Sequence, residues 1–179
     1  MSEFSYALFD TELGRCGVAW GPNGLRAVSF AESSDEATVK RLQRRASGAA
    51  EAEPSQDIAA VISDIKALFK GEKRDLSYVR MDWDGVGAFE RAVYELSLKI
   101  QPGEAKTYGD LAKALGDVAQ SQRVGQALGR NPFPIVVPCH RIVGADGAMT
   151  GFSAPGGAEL KRRLLKIEGA LGPDLFDAL

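Results

Sequence analysis

The sequence holds a single histidine, His140, and only two cysteines, Cys16 and Cys139. Zinc wants three or four ligands at short, characteristic spacings, and two cysteines over 120 positions apart with one histidine offer no such cluster, so no metal is expected. A disulfide framework shows itself as many cysteines in a short secreted chain, and both cysteines are therefore read as free thiols. No apolar run approaches the ~18 to 20 residues of a membrane span, and Glu3, Asp10 and Glu12 interrupt the stretch that a secretory leader would need. A soluble, cytoplasmic chain with no membrane partner is the expectation. Excess charge of one sign is also missing: the net charge is −2, which looks wrong for a nucleic-acid binder until it is divided along the chain. Residues 85–170 carry eleven Lys or Arg against eight Asp or Glu, whereas residues 1–84 carry eleven against fourteen. With 45% hydrophobic and 26% charged residues among 179, collagen, coiled coil and wholesale disorder are excluded, and enough chain remains to bury a core.

Local patterning divides the chain in two. FSYALFD, GRCGVAW and GLRAVSF are short runs rich in β-branched and aromatic residues, separated by Gly14 and by the GPNG turn at Gly21 to Gly24, and they predict a small antiparallel sheet. A polar helix and a loose connection follow over 31–57. Ile58, Val61, Ile62, Ile65, Leu68 and Phe69 then repeat at helical spacing up to Gly71, predicting a helix that covers the sheet. Farther on, Phe89, Val93, Leu96 and Ile100 mark a helix ended by Pro102-Gly103. Tyr108, Leu111, Ala112 and Leu115 mark another, capped by Thr107 with Asp110 and closed by Gly116. After a turn at Gly116-Asp117-Val118, Val124 and Leu128 define a third, ending at Gly129; this is the layout of a helix-turn-helix, although two helices and a glycine turn also occur in many proteins that never meet DNA. The fold class expected is α+β in two domains, sheet and helix over 1–84 and a helical domain over 85–170, with a tail over 171–179.

Cys139 and His140 are neighbours in the run IVVPCHRIV, where Pro138 is expected to stop a short apolar strand, and the pair reads either as a reactive centre or as a buried structural cysteine beside a surface histidine. A thiol reacts as its thiolate, whose population rises beside a histidine or a helix N-terminus. Adjacent side chains on a strand point to opposite faces, so contact between the two needs a turn here, or a bridging water. The last helix, GGAELKRRLLKIEGA, has an apolar stripe through Leu160, Leu164, Leu165 and Ile167. Glu168 stands four residues beyond Leu164, in the last turn, where the helix dipole disfavours negative charge, and it needs a cation or donor to receive it unless it reaches solvent. If that partner is His140, the carboxylate orients the imidazole, and the imidazole can take the Cys139 proton.

NPFPIVVPCHRIVG, preceded by TYGDLAKALG and QRVGQALGRNP and followed by GFSAPGGAELKRRLLKIEGA, resembles the O6-alkylguanine-DNA alkyltransferases, also called methylated-DNA–protein-cysteine methyltransferases. The resemblance is close over 85–170 and looser before it. It implies an RNase H-like N-terminal domain, a winged-helix-like C-terminal domain and no diffusible cofactor. The implied partner is double-stranded DNA containing alkylated guanine, entered from the minor groove by a monomer. By resemblance, Cys139 accepts the alkyl group, His140 is the water-mediated base and Glu168 orients it. Asn131 is the hinge that ties the helix-turn-helix to the active loop, Tyr108 protonates the purine ring, and Arg123 fills the stack vacated by a flipped nucleotide. The carbonyls of Cys139 and Ile142 would accept from the exocyclic amine, Ser153 would contact the alkylated oxygen, and the small Gly125 and Ala127 would let the second helix approach the DNA backbone.

The chain departs from many relatives at Phe152, where they carry tyrosine, and in the longer run Ser-Ala-Pro-Gly-Gly, which bears on substrate range. Two other readings compete. A Cys-His-Glu hydrolase would need oxyanion donors that the sequence does not reveal, and a non-catalytic damage binder would replace the acceptor cysteine, which is present here.

Overall fold

The computed structural model describes residues 2–149 and 156–171. Strands β1 (Ser5–Thr11), β2 (Gly14–Gly21) and β3 (Gly24–Ser29) form an antiparallel meander whose two-residue connections fix the register, with Leu8 opposite Gly17 and Phe9 opposite Cys16. Alternation along the strands sends Phe9, Cys16 and Val18 to one face. Helix α2 (Gln56–Phe69) lays Ile58, Val61, Ile65, Leu68 and Phe69 into the same apolar cluster. On the other face, helix α1 (Asp35–Gln43) packs Leu42 with Ala19 and Ala27, and it crosses where Gly17 has no side chain. A Cβ on Gly17 would meet Leu42 at 2.7 Å.

The sheet is mixed, not purely antiparallel as the sequence predicts. A two-residue strand β4 (Ala50–Glu51) pairs parallel with β1, giving the order β3-β2-β1-β4. The chain leaves β3 and crosses the sheet through α1. It therefore reaches the far edge running in the direction of β1, and a crossover of this kind produces parallel pairing.

In the second half, α3 (Ala88–Ser97) stops a turn before Pro102-Gly103. The amides of Lys99 and Ile100 already bond back three residues, to Leu96 and Ser97, and the Ser97 hydroxyl donates to the Val93 carbonyl at 2.8 Å. Strand β5 (Lys106–Thr107) leads into α4 (Tyr108–Ala114), whose capping box is complete: Asp110 N–H donates to the Thr107 hydroxyl at 3.0 Å, and Thr107 N–H to the Asp110 carboxylate at 2.9 Å. Gly116, at φ +99°, closes that helix. A 3-10 turn over Val118–Gln120 then runs directly into α5 (Ser121–Gly129), completing the helix-turn-helix. Strand β6 (Ile142–Val143) pairs parallel with β5, and α6 (Gly157–Ile167) follows.

Both halves share one apolar cluster, in which Phe9, Val18 and Leu25 from the sheet join Val93, Tyr94, Val124, Phe133 and Leu164. The exposed edge of β3 is covered by the chain that follows: Leu25 N–H donates to Arg80 at 2.9 Å, Asp82 N–H to Leu25 at 2.8 Å, and Val28 N–H to Pro132 at 3.0 Å. No helix among the described residues is long and apolar enough to cross a membrane.

Gly24 sits at φ +113°, and a Cβ there would run into the Arg80 carbonyl oxygen that receives the Leu25 amide. Gly24→Ala should therefore destabilise the chain by about 1–3 kcal/mol, from the left-handed backbone and the displaced edge contact together. Urea unfolding checks this: an unchanged midpoint would refute the edge constraint.

Candidate active site

The site begins with a failure to form a strand. Pro132, Pro134 and Pro138 lack amide donors, so the intervening apolar residues cannot sustain a ladder. Residues 133–138 fold instead into a compact turn, where Val137 N–H donates to Phe133 at 2.8 Å and Ile135 takes the left-handed region at φ +79°. Asn131, just beyond α5, ties this turn together: its side-chain amide donates to the Val137 carbonyl at 2.9 Å and its oxygen accepts from Phe133 N–H at 2.9 Å. Cys139–Arg141 then form a 3-10 turn before β6, supplying the change of direction that neighbouring thiol and imidazole require.

His140 is 1% exposed and Glu168, the C-cap residue of α6, is 9% exposed. Imidazole Nε2 lies 3.0 Å from Glu168 Oε2. Arg141 grips the same carboxylate with two donors, Nε to Oε1 at 2.9 Å and Nη2 to Oε2 at 2.8 Å, while its Nη1 donates to the Ile100 carbonyl at 2.6 Å. Burial pushes the Glu168 carboxyl upward, but His140 and the Arg141 guanidinium outweigh it and bring it to about 2. An ionised carboxylate accepts, so Nε2 carries the hydrogen and Nδ1 carries the lone pair. Nδ1 is buried and has no hydrogen-bond partner among the described residues. Burial also holds the imidazole below its ordinary value, against the pull of Glu168.

Cys139 is 8% exposed. Burial raises its thiol, although the Asn131 side chain, the Lys161 charge and nearby backbone amides all favour the thiolate. The resting sulfur is therefore protonated. Lys161, from α6, is itself only 1% exposed and burial brings it to about 8; its ammonium donates to the Tyr108 hydroxyl at 3.3 Å. Tyr108 opens α4 and is half-buried.

Other expected residues lie around this centre. Arg123 is exposed on α5, its guanidinium stacked over Phe89 at 3.9 Å. Gly125 presents its bare Cα to the Tyr108 ring. Ala127 corrects the expectation that its small size serves approach to DNA. It is 0% exposed, and its carbonyl accepts the Tyr94 hydroxyl at 2.5 Å, because its position on α5 faces the core. Gln122, Arg123 and Gln126 occupy the exposed face. Ile142 is buried in β6, and the Cys139 carbonyl accepts the Ile142 amide, leaving a second lone pair on that oxygen. Ser153, Phe152 and most of the tail lie outside the described residues.

Arg141, Lys161 and Tyr94 were not anticipated. Lys161 stands three, four and seven residues before Leu164, Leu165 and Glu168, which is one helical face, so its burial was legible in the spacing.

A helix-turn-helix stands beside a buried cysteine, histidine and glutamate, an arrangement suited to a DNA-binding protein with chemistry in its core. Residues 88–170 match the family profile described as 6-O-methylguanine DNA methyltransferase, DNA binding domain. The chain is 33% identical over 165 residues to a methylated-DNA–protein-cysteine methyltransferase of Methanosarcina acetivorans, covering 92% of this chain and 98% of that one. It superposes on the crystal structure of Mycobacterium tuberculosis O6-methylguanine methyltransferase with a TM-score of 0.76 at 29% identity, covering 97% and 99% of the two chains. The Mycobacterium tuberculosis protein in complex with DNA gives 0.74 at 29% identity, covering 96% and 97%. The chain belongs to the methylated-DNA–protein-cysteine methyltransferase family, the methyltransferases of DNA repair.

Glu168 has an ordinary value near 4.5 and a folded value of about 2. The stability it contributes is present above about 4.5 and is lost as pH falls toward 2, on the order of 3 kcal/mol in all. His140, depressed in the folded state, adds a loss as pH falls below its ordinary 6.5. Glu168→Gln should flatten the acid limb of a stability-against-pH curve and lower stability at pH 7 by about 3–5 kcal/mol, since Arg141 is left buried and unpaired. Denaturant titrations at several pH values measure both, and an unaltered acid limb would refute this accounting.

Proposed function

We propose that the chain transfers an alkyl group, methyl above all, from O6 of guanine in DNA to the sulfur of Cys139, once per molecule. One observation carries this reading: a buried imidazole fixed by Glu168 at Nε2, its Nδ1 without a hydrogen-bond partner among the described residues, adjoins a buried thiol in a single 3-10 turn. Nδ1 takes the thiol proton, directly or through one water. The thiolate then forms an S–C bond as the C–O6 bond breaks, and the electron pair moves onto guanine, which takes a proton. Tyr108 supplies that proton at the purine ring. The product is a thioether, which no group in this site can cleave, so the protein is consumed and needs no diffusible cofactor.

Burial of the thiol has a use. A protonated, desolvated sulfur resists stray electrophiles and loses its proton only with an alkyl carbon in reach.

The alkyl group on O6 is inaccessible inside a duplex, so the nucleotide must be extruded, at about a few kcal/mol of lost stacking and pairing. Arg123 would enter the vacated stack from the minor groove. Lifting it from Phe89 costs only about 0.5–1 kcal/mol, the worth of an exposed cation–π contact. Asn131 would tie that movement to the active turn. Gly125 would admit the helix close to the DNA, and the carbonyls of Cys139 and Ile142, with Ser153, would receive the base. The reading includes a monomeric, cytoplasmic protein and a lesser activity on O4-alkylthymine.

Intact mass after incubation with a duplex containing alkyl-labelled guanine should show one added alkyl group, on Cys139. Label on Cys16, which is fully buried under the sheet, or repeated turnover would overturn the assignment. Cys139→Ser should abolish transfer and leave DNA binding within about twofold of the parent, because the sulfur is not part of the DNA-facing surface. Arg123→Ala should slow duplex repair by about tenfold, with reaction on free O6-alkylguanine unchanged; equal losses on both would remove the insertion role.

A further inference from the structure

We infer that Arg141 is a positioning residue that keeps His140 unprotonated, and hence able to accept the thiol proton, by supplying the one positive charge that buried Glu168 requires. The inference rests on the proposed role of His140 as base. It is carried by the geometry of the carboxylate. Among the described residues Oε1 is bonded by Arg141 alone, whereas Oε2 is shared between Arg141 Nη2 and His140 Nε2. Both partners are buried with it. A carboxylate withdrawn from water needs one compensating charge and hydrogen bonds for its remaining lone pairs. Arg141 provides the charge and two bonds, and the neutral Nε2–H provides the third. If the guanidinium were absent, the imidazole would be the remaining side-chain hydrogen-bond partner of the carboxylate among the described residues, and Glu168 would draw a proton onto the ring. Nδ1 would then carry hydrogen and could accept nothing.

The charged neighbours of the ring support this balance. Burial is the largest influence against the imidazolium; Glu168 faces the ring from the end of α6 and favours the imidazolium, and Arg141 from the same turn and Lys161 from α6 add to the opposition. Cys139 adjoins it in sequence, Tyr94 of α3 lies near that sulfur, and Asp75 approaches Arg141 from the chain after α2. Arg141 is anchored independently of this exchange by its Nη1 bond to Ile100 at 2.6 Å. Its position is thus set by the end of α3 as well as by Glu168.

Because the chain has one histidine, the imidazole signals in a nitrogen-labelled NMR spectrum belong to His140 alone. In the parent protein the ring should remain the neutral Nε2–H tautomer from about pH 6 to 8. Arg141→Gln should raise its titration midpoint by about one to two pH units. Transfer at pH 6 should slow by up to about tenfold and recover at pH 8, which a merely loosened site would not do. Arg141→Lys, which keeps the charge, should keep the ring neutral. The double variant Arg141→Gln with Glu168→Gln should return the ring to neutrality, since the demand for charge has gone. An unshifted midpoint in Arg141→Gln, a protonated ring in Arg141→Lys, or a ring still protonated in the double variant would each overturn the inference. If Arg141→Gln does not fold, the lysine and double variants decide it. His140→Ala transferring at the parental rate would instead sink the base reading, and the NMR arm is independent of that result.

Discussion

The buried carboxylate of Glu168 is a costly group, and the surrounding structure is arranged to meet its demand. It lies at the C-terminus of α6, where the helix dipole opposes it, and burial opposes it again. Removing such a charge from water costs several kcal/mol, which only close, well-aligned partners offset. Two segments far apart in sequence supply them: the Cys139–Arg141 turn gives an imidazole and a guanidinium, and the end of α3, through Ile100, fixes the guanidinium. The turn that carries Cys139 is consequently pinned to α6 on one side and α3 on the other. A cysteine placed there inherits a rigid position without making strong bonds itself.

Rigid placement matters because the sulfur is not activated at rest. Desolvation holds the thiol protonated, and the features that favour the thiolate, namely Asn131, the Lys161 ammonium and backbone amides, are directed at a charge that does not yet exist. Dipoles fixed before charge develops need no reorganisation when it does, which is how a low-dielectric site can both suppress a resting thiolate and stabilise one during transfer. A surface cysteine of depressed acidity would react indiscriminately instead.

Much of this was legible in the sequence wherever a local rule decides local geometry. Thr107 with Asp110 announced a capping box, Gly21 to Gly24 a hairpin, and a glutamate at a helix end beside an apolar stripe announced a missing partner. What stayed hidden depends on encounters between distant segments. β4 is two residues long and exists only because a crossover delivers it beside β1. Arg141 reads as an ordinary surface arginine until Glu168 and Ile100 close around it. Ala127 and Gly125 look alike as small residues of one helix, yet they differ by about 200° around its axis, so one meets Tyr94 in the core and the other meets Tyr108 near the surface. The run 133–138 has the composition of a buried strand, but prolines at 132, 134 and 138 remove the donors that a strand would need.

The same turn explains how the helix-turn-helix and the chemical centre act as one body. α5 ends at Gly129, and two residues later Asn131 bonds to both ends of the 133–137 turn that presents Cys139. α5 is held a second time where Tyr94 of α3 donates to the Ala127 carbonyl, and Tyr94 in turn stacks on Trp83, whose ring meets Phe133 edge-on at 5.5 Å. Ile135 keeps its left-handed backbone within this frame, a strain of about 1–3 kcal/mol that persists only where surrounding contacts over-determine the geometry. Displacement of α5 must therefore be shared by the turn carrying the sulfur, because polar bonds and packed rings join them at several points and no flexible linker lies between. Asn131, two residues beyond α5, is thus one of the links that join that helix to the turn carrying Cys139.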